Sequence, residues 1–399
     1  MDTRLLVAAF GVLILSACVA GNGNTIAADA EVTAAPAASA VPPQMPARSD
    51  ESAEPFAVTP VGQFDEPWAM TFLPDGRLLV TEKRGRLRLL DPTGAAEAKT
   101  IGGVPDVDYG GQGGLGDVVL HPQFERNSVI YLSYAEAGEG DTRGAAVARG
   151  TLSLDADGGG SLSGMKVIWR QVPKVSGRGH YGHRIAFAPS GEMFISSGER
   201  QKFDPAQDMD ANLGKIVRLA DDGSVPADNP FAALGGVAAQ VWTLGHRNIL
   251  GLAFDARGRL WAAEMGPRDG DELNLIERGG NYGYPIVSEG MQYDGRDIPG
   301  HDTRPEFNAP EISWTPVISP AGFVFYSGRQ FPRWQGHGLI GGLSGRALVR
   351  VAVSGDSARE VARYDMGKRI REVEQGPDGH VWLLEDGAGG RLLKLSPRG

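Results

Sequence analysis

Short stretches of alternating apolar and polar residues recur along the chain, each after a tight turn that ends in glycine. The pattern is a turn, then a short run of β-forming residues, then an acidic residue. Its four copies lie at 74–82, 190–195, 257–264 and 377–386. A glycine turn followed by alternating β-formers is a hairpin signal. Each copy therefore predicts a β-hairpin.

The spacing of the copies indicates a repeat. Their glycines are Gly76, Gly191, Gly258 and Gly379, which lie 115, 67 and 121 residues apart. These gaps correspond to two, one and two units of about 60 residues. Weaker strand patterns at 129–134 and 338–343 lie within the two longer gaps, where a further unit is expected. No long segment has a helical period. Six units predict an all-β, six-bladed β-propeller of four-stranded antiparallel blades. A β-sandwich with coincidental hairpins is the alternative.

The N-terminus differs in composition from the rest of the chain. Leu5–Ala17 is an apolar run of 13 residues, too short to span a bilayer and typical of a signal-peptide core. It ends Leu15-Ser16-Ala17-Cys18, which resembles the lipobox of bacterial lipoproteins and predicts a signal peptide over 1–17 and a lipid on Cys18. An ordinary secretory cleavage site is the alternative.

The segment 18–55 is rich in alanine and proline and predicts a disordered tether, so the folded domain should cover 56–399. These features predict a lipoprotein of the bacterial cell envelope that faces the periplasm, or a protein of the periplasm itself. Val19 follows the cysteine where inner-membrane lipoproteins of enterobacteria carry aspartate, which favours the outer membrane.

Composition narrows the function classes. Glycine supplies 57 of 399 residues, about twice its usual ~7%, which disfavours long helices. The net charge of −10 argues against a general nucleic-acid-binding protein, and a single cysteine excludes an intrachain disulfide. Loops at one end of a propeller channel converge, so polar loop residues are the candidates for chemistry.

Two glycine-rich loops carry candidate side chains. The loop 110–116 presents Gln112 where the backbone can approach a ligand closely, although it lacks the lysine of a phosphate loop and also suits a simple turn. The loop 179–184 presents His180, whose near-neutral pKa suits proton abstraction from a hydroxyl. Glu199 follows the next strand and could orient that imidazole. His183 is a rival base, and a hydrogen-bonding spacer is the alternative role for His180.

Basic and acidic loops follow. Arg247-Asn248 offers several donors to a carbonyl or carboxylate, or acts as a structural clamp in its turn. Arg369 and Arg371 share one face of an extended segment and suit a polyanion, or are surface charges. The loop 264–272 exposes carbonyls at Gly and Pro beside carboxylates, which suits calcium, or is a solvated acidic loop.

Taken in chain order, these motifs resemble the soluble quinoprotein glucose dehydrogenases, with the closest match to their bacterial aldose sugar dehydrogenase branch. The residues that carry the resemblance are Gln112, His180-x-x-x-Arg184, Arg247-Asn248, Gly266-Pro267 with Asp271-Glu272, the segment 280–285, and Arg369-x-Arg371. The match runs from about residue 60 to 398. That family is a six-bladed propeller with pyrroloquinoline quinone (PQQ) and Ca²⁺ at the channel mouth. The resemblance implies oxidation of aldose sugars at the anomeric carbon to lactones.

The resemblance also implies residue roles. His180 matches the general base that takes the proton of the anomeric hydroxyl as hydride passes to the quinone, and Glu199 stands where the family has an aspartate partner. Arg247 matches the residue that stabilises charge on the quinone oxygen. The implied cofactor contacts are Gln112, Arg247, Asn248, Trp314, Arg369, Arg371 and Asp386, with Trp314 covering the cofactor plane. The implied calcium ligands are the carbonyls of Gly266 and Pro267 and the side chain of Glu272, with Glu264 as a further candidate.

The sequence also departs from the family pattern. The family lysine under a cofactor carboxylate falls near Ser344, with Arg346 as a candidate replacement, and Gly179 stands where an aspartate precedes the histidine. The insertions that shape the glucose pocket are absent, so neither glucose preference nor dimerisation is implied. Two alternatives stay open: a calcium-dependent lactonase-type propeller hydrolase, and a non-catalytic propeller that binds a glycan or protein.

Overall fold

The structure is a computed structural model that describes residues 55–94, 97–156 and 158–398. The predicted signal peptide, Cys18 and almost all of the tether lie outside these residues. The part of the chain that is described contains no helix with the length and apolar character needed to cross a membrane.

The regular secondary structure of the described chain is almost entirely β-strand, and an initial strand is followed by five sets of four strands and a last set of three. The strands are β1 (Phe56–Asp65); β2 (Pro67–Phe72), β3 (Leu78–Glu82), β4 (Arg86–Leu90), β5 (Lys99–Gly102); β6 (Leu115–Leu120), β7 (Val129–Ala137), β8 (Arg143–Leu154), β9 (Gly160–Arg170); β10 (Gly182–Phe187), β11 (Met193–Ser197), β12 (Lys215–Leu219), β13 (Val241–Leu244); β14 (Ile249–Phe254), β15 (Leu260–Glu264), β16 (Asp271–Leu275), β17 (Ile312–Trp314); β18 (Pro320–Phe325), β19 (Gly338–Gly342), β20 (Ala347–Ser354), β21 (Ser357–Asp365); β22 (Ile370–Gln375), β23 (Val381–Glu385) and β24 (Ala388–Pro397). One short α-helix, α1 (Phe124–Asn127), and 3₁₀ turns at Asp204–Ala206, Ala232–Leu234, Ala238–Gln240, His301–Thr303 and Pro332–Trp334 complete the elements. The all-β class predicted from the sequence is confirmed.

The strands form antiparallel four-stranded sheets and one larger sheet. Strands β10–β13, β14–β17 and β18–β21 each form a sheet in chain order, and β1 joins the C-terminal strands in the order β1-β24-β23-β22. The remaining sheet has eight strands in the order β2-β3-β4-β5-β9-β8-β7-β6. Its two antiparallel halves are joined by a parallel pairing of Ile101 with Gly160 and Gly102 with Ser161. This sheet differs from the predicted set of separate four-stranded sheets, because the outer strands β5 and β9 hydrogen-bond along their edges.

The hairpin pattern in the sequence locates one particular strand of each set. The four strong copies and the two weaker ones become β3, β11, β15, β23, β7 and β19, which are the second strands of successive sets. The first strands contact one another in the cyclic order β2, β6, β10, β14, β18, β22 and back to β2. Each first strand is antiparallel to its second strand, so the loops before the first strands and after the second strands lie at the same ends of the sheets.

Apolar faces pack between neighbouring sheets. Phe56 at the start of β1 is fully buried and meets Trp334 and Tyr364 edge-on, with ring centroids 6.0 and 5.2 Å away. Because β1 pairs along β24, this contact ties the N-terminal strand to both the last sheet and the one before it. The N-terminal and C-terminal ends of the described chain are thereby held in one sheet.

Candidate active site

A cavity of about 400 Å³ opens among the loops that precede the first strands and follow the second strands. Four residues predicted from the sequence line it: Gln112, Arg369, Arg371 and Asp386. Its other charged lining residues are Glu66 and Lys83, and His183 and Trp68 form part of its wall. The cavity therefore presents three cationic side chains and two carboxylates.

The two predicted arginines share one carboxylate. Arg369 Nε donates to Oδ2 of Asp386 at 2.7 Å, and Arg371 Nη2 lies 2.8 Å from Oδ1. Burial opposes ionisation of Asp386, but the charge of Arg371 and hydrogen bonds from both arginines hold the pKa of this carboxyl below its usual value. The prediction that both guanidiniums lie on one face is confirmed, and their partner fixes their positions.

His180 and Glu199 form a buried pair beside this cavity. His180 Nδ1 lies 2.5 Å from Oε1 of Glu199, and the backbone N–H of His180 donates to Oε1 of Gln112 at 2.7 Å. The second oxygen of Glu199 accepts the backbone N–H groups of Lys202 and Phe203, at 2.5 and 2.8 Å. A carboxylate held this way accepts from Nδ1–H, which leaves Nε2 of His180 as the ring's proton acceptor.

Burial determines the ionisation of the pair. Burial lowers the pKa of His180 below 6.5, and the hydrogen bond that His180 donates to Glu199 opposes but does not cancel this effect. Burial also works against the charged form of Glu199, yet the hydrogen bond and charge of His180 bring the pKa of that carboxyl below its ordinary value. The pair is thus a neutral imidazole on an ionised carboxylate at neutral pH.

His183, the rival base, has a different environment. Its ring stacks on Trp68 at a centroid distance of 4.9 Å, and its Nδ1 lies 2.7 Å from Oγ of Ser133. Burial lowers the pKa of His183 to about 3. A Cβ at Gly116 would clash with the His183 ring. Glycine at this position therefore allows the ring to pack against the loop and form part of the cavity wall. Within the described part of the chain, Nδ1 of His183 meets a hydroxyl, whereas Nδ1 of His180 meets the carboxylate of Glu199.

Arg247 and Asn248 support the wall rather than line the cavity. Arg247 Nη1 donates to the carbonyl of Met265 at 3.0 Å and also to the carbonyl of Gly266. Its Nε is buried and has no hydrogen-bond partner among the described residues. Asn248 Oδ1 accepts the backbone N–H of Gly182 at 3.2 Å. These bonds connect the loop before β14 to the predicted calcium loop and to the loop that carries His180.

The predicted calcium loop is rich in buried carboxylates. Glu264 and Glu272 face each other as partners in β15 and β16, and Asp271 Oδ1 accepts the backbone N–H of Gly266 at 3.0 Å. Burial and the charge of Glu264 raise the pKa of Glu272 well above its usual value, while Glu264 also holds Nδ1 of His246 at 2.9 Å. The described residues contain no group of three or more His, Cys, Asp or Glu side chains arranged for a metal. The potential metal ligands at this loop are carboxylate and backbone carbonyl oxygens, which are the ligands that calcium prefers.

A family model for glucose/sorbosone dehydrogenases matches residues 64–394. The chain belongs to the glucose/sorbosone dehydrogenase family. It is 40% identical over 344 residues to the aldose sugar dehydrogenase YliI of Escherichia coli K12, which covers 84% of this chain and 91% of the relative. A crystal structure of a glucose dehydrogenase matches with 41% identity and a TM-score of 0.81, covering 86% of this chain and 100% of that one. The PQQ-bound aldose sugar dehydrogenase of Streptomyces coelicolor matches with 27% identity and a TM-score of 0.70, covering 86% and 98%. The resemblance inferred from the motifs is confirmed.

Trp314 lies away from the cavity in this member of the glucose/sorbosone dehydrogenase family. It is buried in β17, the outer strand of its sheet, where its Nε1 donates to Oε2 of Glu360 at 2.8 Å. Its side chain packs in an apolar cluster that includes Trp261 and Ile340. This placement corrects the expectation that Trp314 covers a cofactor plane, because an outer-strand side chain facing the next sheet joins the core.

Lys83 and Trp68 are among the cavity residues that the sequence reasoning missed. Lys83 directly follows β3, and Trp68 lies at the start of β2. The signal for Lys83 was the repeat itself, because Glu199 and Asp386 stand shortly after the second strands of other sets. Ser344 and Arg346 are absent from the cavity lining, although Ser344 Oγ bonds at 2.8 Å to Oγ of Ser319, which does line it.

Proposed function

We propose that this protein oxidises aldose sugars at the anomeric carbon to lactones, with PQQ as the hydride acceptor and Ca²⁺ as the metal. The oxidoreductase class follows from membership of the glucose/sorbosone dehydrogenase family. The observation that carries the proposal for this chain is the His180–Glu199 pair beside a cavity with three cationic side chains.

His180 is the general base of the proposal. Removal of hydride from a carbon that bears a hydroxyl becomes easier as the O–H proton leaves, so a neutral base must accept that proton. His180 Nε2 is the acceptor, because Nδ1 is engaged with Glu199. Glu199 holds the ring in one orientation and stabilises the imidazolium that forms. Such help is typically worth ~10²–10⁴-fold in rate.

The cavity suits the proposed cofactor. PQQ carries three carboxylates, and guanidinium and ammonium groups are their natural partners in a site that excludes water. Arg369 and Arg371 are fixed by Asp386, and Gln112 reaches both the cavity and the backbone of His180. The unpartnered Nε of Arg247 is a further donor at the adjoining wall. When bound, PQQ supplies the two-electron acceptor that the side chains lack.

The loop after β15 suits the proposed calcium. Pro267 offers a backbone carbonyl, and Gly266 offers a second that also accepts from Arg247. Glu272 offers a buried carboxylate whose charged form is disfavoured by burial and by the charge of Glu264. A divalent ion bound by these oxygens would offset the cost of burying the charged carboxylate and would act as a Lewis acid. Glu264 is already engaged with His246 and the backbone of Arg247, which favours Glu272 as the ligand.

The proposal also includes a propeller of six blades and a location in the cell envelope. The cyclic contacts of six first strands support a six-bladed propeller in which β5 and β9 join two blades at their edges. The signal peptide 1–17, the lipid on Cys18 and the tether 18–55 would present this domain, 56–399, to the periplasm on a membrane, with the outer membrane favoured. A Cys18→Ala variant should then move from the membrane fraction to the soluble fraction of expressing cells.

The direct test is reconstitution of the purified protein with PQQ and Ca²⁺, followed by aldose-dependent reduction of an artificial electron-acceptor dye. We expect reduction that requires both PQQ and a sugar with a free anomeric hydroxyl. Loaded protein that reduces no dye with any aldose would overturn the proposal. Lactone hydrolysis without added quinone would favour the hydrolase alternative.

A further inference from the structure

The geometry points to Lys83 as a residue that binds one carboxylate of the quinone cofactor, alongside Arg369 and Arg371. This inference rests on the proposed function, since it concerns the tricarboxylate that the cavity would hold. It assigns a role to a residue that none of the sequence motifs includes.

The Lys83 ammonium is held in place before any ligand binds. Its side chain lines the cavity, is only 14% exposed, and donates from Nζ to the carbonyl of Gly111 at 2.9 Å. Its backbone is clamped on both sides, because its N–H donates to Glu66 O at 3.1 Å and its carbonyl accepts Leu115 N–H at 2.9 Å. A Cβ at Gly114 would clash with the Lys83 carbonyl, so the glycine-rich loop approaches this closely only with glycine there. A preorganised ammonium loses little freedom on binding an anion.

The charge of Lys83 is only weakly compensated within the described residues. Its ion-pair partner is Glu66, whose Oε1 lies 3.7 Å from Nζ, beyond hydrogen-bond distance. The other oxygen of Glu66 accepts the hydroxyl of Tyr109 at 2.5 Å and lies 3.6 Å from Nε of Arg84. Glu66 is thus drawn towards Tyr109 and Arg84, and of the three Lys83 N–H donors one is used by Gly111.

Three cationic side chains line the cavity, one for each carboxylate of the cofactor, and Glu66 and Asp386 offset part of their charge. Arg369 and Arg371 already share Asp386, so each retains further donors while their combined charge exceeds that of their partner. Lys83 is the remaining cation of the lining. Arg346 is exposed and outside the lining, so it is a weaker candidate for this contact. Each carboxylate of the cofactor can therefore meet one cationic side chain, with Ca²⁺ free to act at the quinone.

The experiment measures PQQ binding to Ca²⁺-loaded full-length protein by titration calorimetry, with no sugar present. Lys83→Met removes the charge but keeps the aliphatic stem, and should weaken PQQ binding by about tenfold or more, the usual worth of a hydrogen bond to a charged group. Lys83→Arg should restore most of the affinity. Lys368→Met is the matched control, since it removes an exposed lysine just before β22, at the same end of the sheets but outside the cavity lining. It should change the affinity by less than about twofold.

Melting curves without PQQ verify folding, and we expect the variants to melt close to the wild type while Lys83→Met loses part of the PQQ-induced stabilisation. Equal PQQ affinity in Lys83→Met and the wild type would overturn the inference and leave the proposed function intact. An equal loss in Lys83→Met and Lys368→Met would also overturn it, because it would show that any nearby positive charge has the same effect. Wild-type protein that binds no PQQ would overturn the proposed function itself.

Discussion

Nδ1 of His180 lies 2.5 Å from Oε1 of the fully buried Glu199. The carboxylate is held from its other side by two backbone N–H groups, so it cannot turn away from the ring. A histidine fixed in this way has one defined tautomer and one free nitrogen. This geometry suits the general-base role that we propose for His180.

Replacement of His180, the proposed base, should impair the chemical step without impairing cofactor binding. In His180→Gln we expect PQQ affinity close to that of the wild type and turnover with aldoses reduced by ~10²–10⁴-fold, because no group accepts the hydroxyl proton. The measurement is steady-state dye reduction on protein whose PQQ and calcium loading is verified. Near-normal turnover in fully loaded protein would contradict the assignment of His180.

Glu199→Gln should impair the same step without touching the sugar. If the glutamine oxygen keeps the backbone N–H groups of Lys202 and Phe203, its amide donates to His180 Nδ1 and places the ring proton on Nε2. We expect kcat to fall at least tenfold with a smaller change in KM. Glu199→Asp should retain more activity, since it keeps the charge. A purely structural role would instead lower the melting temperature and leave kcat of the folded fraction unchanged.

The pH dependence of kcat/KM should report the buried imidazole. Burial lowers the pKa of His180 below 6.5, and the protonated ring cannot accept a proton. The acid limb of kcat/KM should therefore lie below pH 6.5, with activity lost as the pH falls through the lowered pKa. Glu199 raises the pKa of His180, so the limb should move to still lower pH in Glu199→Gln. A limb at or above pH 6.5 in the wild type would contradict this account.

The packing of the N-terminal strand β1 should stabilise the fold. Phe56 is fully buried against Trp334 and Tyr364, so Phe56→Ala should lower the free energy of unfolding by about 3–5 kcal/mol. Val58 lies on the same strand with 39% of its surface exposed, and Val58→Ala should cost less than about 1 kcal/mol. Chemical denaturation followed by tryptophan fluorescence compares the two. Similar losses in both variants would show that the packing of Phe56 is not what holds β1.

The fold was predictable where local chemistry repeats. The turns at Gly76 and Gly379 lead into β3 and β23 as expected, because a glycine turn followed by β-formers specifies a hairpin without help from distant residues. The parallel pairing of Ile101 with Gly160 was not predictable. It joins two outer edges that are far apart in sequence, and nothing in either strand pattern marks its partner.

The site was predictable where a side chain had a chemical reason to stand in a loop. His180 with Glu199, and Arg369 with Arg371, were found by chemistry and spacing and lie together in the structure. Trp314 was placed wrongly at the cavity, because one sequence does not tell which face of an outer strand an aromatic side chain takes. Lys83 was missed because its importance lies in the distances to Gly111 and Glu66, which only the folded chain supplies.

We propose that bound PQQ accepts hydride from an aldose while His180 accepts the hydroxyl proton. This can be tested by mixing an aldose with PQQ- and Ca²⁺-loaded protein in the absence of any dye and following the absorption of the bound quinone. The account predicts that one equivalent of sugar reduces the bound quinone in a single rapid turnover, and that His180→Gln slows this reduction by ~10²–10⁴-fold at equal quinone loading. Bound quinone that stays oxidised with every aldose tried would contradict it.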